Sequence, residues 1–174
     1  MDEGAFDNKY IYITIMEYCQ NGDLTDFIRA YKKEQLEKDP VTLNVTLPEK
    51  KVMKIFIEIC EAMRYIHSRD IIHRDIKSPN IFLGLDDTAK LGDFGLCVHG
   101  KSIVTKTKYS VVGTDCYMAP ELHKGKLFQK GKSSDIWALG CVLLEMLLGT
   151  ALWDLDFDLG IKGIEEPAHI FDYI

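Results

Sequence analysis

The sequence predicts a mixed α+β fold that is mostly helical, and three observations support this prediction. The run of β-branched and aromatic residues at Tyr10–Met16 is typical of a buried strand. Two longer segments, beginning near Pro48 and near Ser133, repeat apolar residues at helical spacing. Short apolar pieces flank a polar loop at residues 73–80. With 174 residues, the chain is long enough for one domain with its own core.

The first helix is predicted after a turn at Asn21–Asp23, because asparagine, glycine and aspartate favour turns. Asp23 is also a suitable N-cap for that helix. Its apolar residues recur at helical spacing: Leu24, Phe27, Ile28 and Tyr31. The charged segment at residues 32–40 is interpreted as the end of this helix and a solvated loop.

A second helix is predicted to begin at Pro48-Glu49, because proline suits the first helical turn and an acidic side chain suits its positive end. One apolar face then extends over about five turns. It is formed by Val52, Ile55, Phe56, Ile59, Met63 and Ile66. Three short strand-like pieces follow it: Ile71–Ile72, Ile81–Leu83 and Thr88–Leu91.

The last predicted helix is Ser133–Leu148, with Ser133 or Ser134 as its cap. This segment has almost no polar face, so we expect it to be buried. The final stretch, Thr150–Ile174, has weak periodicity, and no element is predicted there.

Composition narrows the class of protein. A net charge of −6 offers no basic face, so a nucleic-acid partner is not expected. The longest apolar run, Ala138–Leu148, is too short to span a bilayer, so no membrane partner is expected either. Five scattered cysteines without a C-x-x-C pair predict free thiols in a reducing compartment. A cytoplasmic location is predicted, and a nuclear one stays open.

Three short strings carry the functional interpretation. They are HRDIKSPN at residues 73–80, DFG at residues 93–95 and APE at residues 119–121. Any one of them alone is more often a surface cluster or a turn. In this order, and with a lysine and an asparagine after the aspartate in the first, they resemble the catalytic loop, metal-binding loop and activation-segment end of a protein kinase.

The resemblance covers roughly Tyr10 to Leu148. It implies a mostly α-helical, kinase-like C-terminal lobe with the hinge strand of the N-terminal lobe, incomplete at both ends. Residues 1–19 would be the last N-lobe strand and the hinge, residues 20–149 the C-lobe, and residues 150–174 stay unassigned. The Gly-rich loop, the ATP lysine and its partner glutamate have no counterpart in the sequence. We therefore expect a fragment of a kinase with little or no activity on its own.

The resemblance also implies roles for residues in the polar loops. Asp75 would accept or orient the proton of a substrate hydroxyl, and Lys77 would place a positive charge near the transferring phosphate. Asn80 and Asp93 would bind Mg²⁺ through oxygen atoms, the ligands that this ion requires. ATP and Mg²⁺ are thus the implied cofactors, and a protein with serine or threonine is the implied partner.

The string Met-Glu-Tyr-Cys at residues 16–19 resembles a kinase hinge. The resemblance implies that backbone groups of Glu17 and Cys19 hydrogen-bond the adenine of ATP. It further implies that Asp23 reaches the ribose and that Phe82 forms the floor of the adenine pocket.

Arg74 implies control by phosphorylation, because an arginine at this position can pair with a phosphate on the loop after the DFG string. Thr107 and Ser110 are the preferred acceptors, modified by an upstream kinase or by autophosphorylation. An unmodified, solvated loop stays open. Thr114, placed by the resemblance beside the catalytic aspartate, and Lys77 both favour serine/threonine over tyrosine specificity.

Asp135 opens the string DIWALG, which resembles the start of the buried helix that anchors the catalytic loop in kinases. It would bind backbone amides near His73-Arg74. The hinge string, Phe82 and the string LGDFG at residues 91–95 are together most similar to the NIMA-related group.

Two other classes of protein stay open. One is a truncated, non-catalytic kinase-like module that acts as a protein-binding scaffold. The intact set of Asp75, Lys77, Asn80 and Asp93 counts against it, since binding alone does not need these side chains. The other is an unrelated α+β binding domain, which would require all the strings to be coincidental.

Overall fold

A computed structural model of the chain describes residues 13–41, 45–100, 115–123 and 131–152. Its helices are α1 (Leu24–Lys38), α2 (Glu49–Ser68), α3 (Pro120–His123) and α4 (Lys132–Leu148). Its strands are β1 (Ile71–Ile72), β2 (Ile81–Leu83), β3 (Ala89–Leu91) and β4 (Val98–His99). The prediction of a mixed, mostly helical α+β fold is confirmed.

Helix α2 is the centre of the core. It begins where the proline and glutamate predicted, and its apolar face packs against α4, β1 and β3. Five of the six predicted core residues are buried, and Phe56 is half-buried. The buried five are Val52, Ile55, Ile59, Met63 and Ile66. Burying each such side chain contributes about 1.5–3 kcal/mol, so this one face supplies much of the driving force for folding.

Two small antiparallel sheets hold the polar loop at residues 73–80 between them. Strand β1 pairs with β4, with Ile72 opposite Val98. Strand β2 pairs with β3, with Phe82 opposite Lys90. Since the loop leaves β1 and enters β2, both of its ends are fixed. Strand β4 was not predicted, because Val98–His99, unlike Ile71–Ile72, has only one β-branched residue.

The predicted buried strand Tyr10–Met16 is wrong for the residues that the structure describes, 13–16. They form no strand, and the exposed fractions of Ile13, Ile15 and Met16 are 82%, 93% and 73%. Strand propensity reflects packing against neighbouring strands, and no described strand lies beside this segment. Residues 10–12 lie outside the described part.

Helix α1 is longer than predicted, because it continues through the charged segment to Lys38. Ion pairs one turn apart support this extension: Lys33 with Glu37, and Lys38 with Glu34. The predicted cap is confirmed. The Asp23 carboxylate accepts a hydrogen bond from the backbone N–H of Asp26 at 3.0 Å.

Helix α4 begins at Lys132, one residue earlier than predicted, and Gly131 rather than a serine is its N-cap. The Ser134 hydroxyl instead donates to the Gly131 carbonyl at 2.7 Å. The predicted burial is confirmed for part of this helix and is wrong for Ile136 and Leu147, which are 56% and 50% exposed. Among the described residues, none of the helices combines the length and hydrophobicity needed to cross a bilayer.

The C-terminal end of α4 depends on glycine. Gly149 has φ +65°, and its N–H donates to the Glu145 carbonyl at 2.9 Å. A Cβ there would also collide with the Val45 carbonyl. We expect Gly149→Ala to lower the free energy of unfolding by at least about 1–2 kcal/mol, the cost of the left-handed backbone alone.

The matched control is Gly140→Ala in the same helix, where no described heavy atom beyond the helix's own backbone and the adjacent residues lies within 4 Å of the added Cβ. Alanine favours a helix interior over glycine by up to about 1 kcal/mol, so this variant should be neutral or stabilising. Denaturant midpoints measure both. Equal losses from the two substitutions would contradict the role given to Gly149.

Candidate active site

One buried carboxylate, that of Asp135, anchors the loop at residues 73–80. Asp135 accepts hydrogen bonds from the backbone N–H groups of His73 at 2.9 Å and Arg74 at 2.8 Å. These two contacts confirm the predicted anchor. Arg74 has φ +71°, a left-handed conformation that is costly outside glycine. The paired amide bonds to Asp135 stabilise this strained residue.

Asp75, Lys77 and Asn80 lie together above this anchor. The Asp75 carboxylate is buried, and its Oδ2 lies 2.8 Å from the Lys77 Nζ. The amide nitrogen of Asn80 donates to the same Oδ2 at 3.1 Å and to the Asp75 carbonyl at 2.8 Å. The three residues predicted to be catalytic therefore form one hydrogen-bonded cluster.

The DFG turn at residues 93–95 lies beside that loop. The N–H of Gly92 donates to the Asn80 carbonyl at 2.9 Å, and the His73 Nε2 lies 2.9 Å from the Gly92 carbonyl. The ring of His73 also meets the ring of Phe94 edge to face, with centroids 5.1 Å apart. These contacts place Asp93 next to the cluster around Asp75.

The oxygen atoms of Asp93 and Asn80 fit Mg²⁺. Asp93 is exposed and has φ +53°, and its carboxylate accepts from the Gly95 N–H at 3.3 Å. Because the amide nitrogen of Asn80 is bonded to Asp75, its amide oxygen is the atom that can bind a cation. Mg²⁺ is usually held by one or two carboxylates together with substrate phosphates, which matches this donor set.

Phe82 lies between the turn at Asn21–Asp23 and the DFG turn. It forms a β-bridge with Asp23, and its half-buried ring packs on Gly92, where an added Cβ would lie 2.5 Å from the ring. The turn at Asn21–Asp23, which follows the predicted hinge, is docked on β2 by two backbone bonds: Asn21 N–H to Leu83 O at 3.0 Å, and Leu83 N–H to Gly22 O at 2.9 Å. The predicted floor residue thus lies beside this turn.

Other residues predicted to bind ATP have contacts of their own. The Glu17 side chain pairs with Lys90 on β3. Cys19 is half-buried, and its carbonyl accepts from the Gly22 N–H at 3.2 Å. Asp23 uses one carboxylate oxygen to cap α1, as described above. Two of them are linked to Phe82: Glu17 pairs with Lys90, which lies opposite Phe82, and Asp23 forms the β-bridge with Phe82.

The predicted regulatory residues are only partly described. The Nε of Arg74 donates to the Leu96 carbonyl at 2.6 Å, which ties the catalytic loop to the turn after the DFG string. Thr107, Ser110 and Thr114 lie outside the described residues.

Comparison with known proteins decides the family. Residues 3–169 match the protein kinase domain family over nearly the whole chain. The chain belongs to the protein kinase family. This confirms the resemblance read from the three strings.

Several serine/threonine kinases are similar to this kinase chain. It is 40% identical over 144 residues to mouse serine/threonine-protein kinase Nek1 and 39% identical over 146 residues to zebrafish Nek8. Each match covers 83% of the chain, but only 11% of Nek1 and 18% of Nek8. Cyclin-dependent kinase-like 1 of Caenorhabditis elegans is 43% identical over 137 residues, covering 78% of the chain and 35% of that protein. The chain therefore spans only a small part of these relatives.

Nucleophilic chemistry is not favoured at Cys97 or at Cys141. All five cysteines are free thiols. The Cys97 thiol lies 3.6 Å from the His73 carbonyl, and burial raises the pKa of Cys97 to about 11. Burial likewise raises the pKa of Cys141 to about 12. Both thiols stay protonated at neutral pH, and a thiol is a weak nucleophile.

Several polar residues at the site were missed by the sequence interpretation. The His67 Nε2 is a third partner of the Asp135 carboxylate, at 2.9 Å. Tyr117 and Glu145 form a buried hydrogen bond of 2.7 Å beneath the loop. The one available signal was the glutamate at position 145 within the apolar run Ala138–Leu148, since buried carboxylates need partners.

Proposed function

We propose that this chain is the catalytic part of a protein serine/threonine kinase, which transfers the γ-phosphate of ATP to a serine or threonine hydroxyl of a protein. The observation that carries the proposal is the buried cluster in which Asp75 is held by Lys77 at 2.8 Å and by Asn80 at 3.1 Å. A carboxylate held by a cation and an amide beside an exposed Asp93 suits proton transfer next to a bound metal ion.

The reaction needs a proton acceptor and a charge stabiliser. The substrate hydroxyl oxygen forms a bond to the γ-phosphorus, its proton passes to Asp75, and the bond to the β-phosphate oxygen breaks to release ADP. Lys77 stabilises the negative charge on the transferring phosphoryl group. Mg²⁺, when bound by Asn80 and Asp93, neutralises phosphate charge.

The nucleotide is assigned to the hinge side of the site. Backbone groups of Glu17 and Cys19 bind the adenine, Asp23 reaches the ribose, and Phe82 forms the floor. This assignment is supported by the ion pair of Glu17 with Lys90, by the β-bridge between Asp23 and Phe82, and by the packing of Phe82 on Gly92. In this proposal residues 1–19 contain the hinge and residues 20–149 form the C-lobe.

Serine/threonine specificity is supported by Lys77 and by the names of the relatives Nek1 and Nek8. Regulation is assigned to the loop that includes Thr107 and Ser110, modified by an upstream kinase or by the protein itself. Arg74, already tied to Leu96 after the DFG string, is the residue assigned to pair with the phosphate.

The test is phosphate transfer in the natural full-length protein with Mg²⁺, radiolabelled ATP and dephosphorylated casein. Asp93→Ala should lower transfer by about 100-fold or more, because a ligand to the charge-neutralising metal is lost. It should also remove the rise in melting temperature caused by Mg²⁺-ATP. Asp26→Ala, which removes an exposed aspartate from the first turn of α1, is the matched control and should change neither quantity.

The outcomes separate the two classes of function. Transfer by the natural protein that Asp93→Ala removes supports a kinase. An absence of transfer, or transfer that persists at full rate in Asp93→Ala, would overturn the proposal. Absent transfer combined with capture of a protein partner would instead favour a scaffold.

A further inference from the structure

Four buried polar side chains form a continuous line of hydrogen bonds that includes Ser78 of the loop at residues 73–80. The hydroxyls of Thr25 on α1 and Ser78 are 2.7 Å apart, and the Ser78 hydroxyl is 3.1 Å from the Tyr117 hydroxyl. The Tyr117 hydroxyl in turn donates to the Glu145 carboxylate on α4 at 2.7 Å. All four residues are buried.

The direction of the line follows from donor counting. A hydroxyl has one proton to donate, and Tyr117 gives its proton to Glu145. The Ser78 hydroxyl must therefore donate to the Tyr117 oxygen, and the Thr25 hydroxyl must donate to Ser78. Burial first, and the nearby Glu145 carboxylate second, raise the pKa of Tyr117, which keeps this donor protonated.

Aligned hydrogen bonds in a dry interior polarise and strengthen one another. The far end of the line is also fixed, since Glu145 accepts from the Leu152 N–H at 2.9 Å. The line therefore gives the Ser78 hydroxyl a defined position relative to both α1 and α4.

Ser78 is the residue of this line that lies next to the proposed catalytic residues in the chain. It lies between Lys77 and Asn80 in the chain, and these two residues hold the Asp75 carboxylate. Tyr117 lies two residues before the Ala119–Pro120 string, at the end of the segment that follows the DFG turn. A displacement of Tyr117 would thus also displace Lys77 and Asn80, because the Ser78 hydroxyl that lies between them in the chain is bonded to Tyr117.

We infer that Ser78 is a positioning residue that couples the placement of Tyr117 to the geometry of Lys77 and Asn80 around Asp75. The inference rests on the proposed kinase function. It assigns to Ser78, Thr25 and Tyr117 an effect on the rate of phosphoryl transfer rather than on nucleotide binding, since none of the three is assigned to the nucleotide.

The test compares Ser78→Ala, Tyr117→Phe and their double variant in the natural full-length protein, with kcat expressed per folded enzyme. Each single variant should lower kcat about tenfold, with the KM for ATP unchanged. The double variant should fall no further than the larger single one, because both break the same line. Thr25→Ser should keep a higher kcat than Thr25→Val, since only serine retains the hydroxyl.

Ser68→Ala is the control for loss of a serine hydroxyl, because Ser68 is exposed on α2 and bonds only locally to the Tyr65 carbonyl. It should leave kcat unchanged. If Ser78→Ala does not fold, Tyr117→Phe and the Thr25 pair carry the test, because Tyr117→Phe and Thr25→Val preserve side-chain volume closely and Thr25→Ser removes only one methyl group.

The experiment distinguishes failure of the proposed kinase function from failure of the coupling through Ser78. If the natural protein transfers no phosphate, the proposed function falls and this inference falls with it. If the natural protein is active but the single variants keep its kcat, or if their losses multiply in the double variant, only the coupling through Ser78 is overturned. A rise in KM for ATP without a change in kcat would also overturn it.

Discussion

Asp75→Asn is expected to lower kcat for protein phosphorylation by about 10²–10⁴-fold, the range for loss of a positioned general base. The substitution keeps the shape of the side chain and an oxygen that can accept from Asn80, which bonds Asp75 at 3.1 Å. It removes the negative charge that is proposed to accept the substrate proton and that pairs with Lys77 at 2.8 Å. Initial rates at saturating ATP and substrate give the effect on kcat directly.

The matched control for Asp75→Asn is Asp26→Asn, which makes the same chemical change at an exposed position in the first turn of α1. The control should retain the natural kcat. Both variants should melt within a few degrees of the natural protein. Transfer at the natural rate by folded Asp75→Asn would show that this carboxylate is not the base, and Asp75 would be left with a structural role only.

Elements defined by short-range patterns were predictable from the sequence. Helix α2 begins at Glu49 because its start signal and its apolar period lie within a few residues of one another. The cluster of Asp75, Lys77 and Asn80 was also predictable, since all three lie on one loop of eight residues. Asp93 follows them closely because β2 and β3 form a hairpin that returns the chain to Asn80.

Contacts between distant segments were not predictable in the same way. Thr25 and Ser78 are 53 positions apart, Ser78 and Tyr117 are 39 apart, and Tyr117 and Glu145 are 28 apart. Nothing in local composition pairs such residues, because many threonines, serines and tyrosines are simply solvated. Burial is what makes the pairing necessary, and burial depends on how α1 and α4 pack.

At residues 13–16 a local pattern predicted a strand that the structure does not have. Its isoleucines and threonine have high strand propensity, yet Ile15 is 93% exposed. Propensity describes how a side chain fits a half-buried pleated surface, so it cannot supply the surface itself. The same holds for Ile136 on α4, whose apolar character alone predicted burial that the described residues do not provide.

Asp135→Ala is expected to have the largest effect on stability, lowering the free energy of unfolding by about 3–5 kcal/mol. The Asp135 carboxylate is 1% exposed and accepts from His73 N–H, Arg74 N–H and the His67 ring at 2.8–2.9 Å. Alanine would leave two backbone amides without this acceptor at a residue, Arg74, whose φ of +71° is already strained. Loss of the anchor should therefore also release the catalytic loop.

Asp135→Asn and Asp26→Ala are the controls that show whether the loss of stability in Asp135→Ala comes from its hydrogen bonds to the two backbone amides. Asparagine keeps one acceptor oxygen, so its loss should be smaller than that of alanine. Asp26 and Asp135 each lie in the first turn of a helix, but only Asp26 is exposed. Asp26→Ala should therefore lower the free energy of unfolding only by the helix-dipole contribution of about 0.3–1 kcal/mol. Equilibrium unfolding in urea measures all three. A loss for Asp135→Ala no larger than that of Asp26→Ala would mean that the two amides find other acceptors, and that the strained Arg74 does not need this carboxylate to hold the loop.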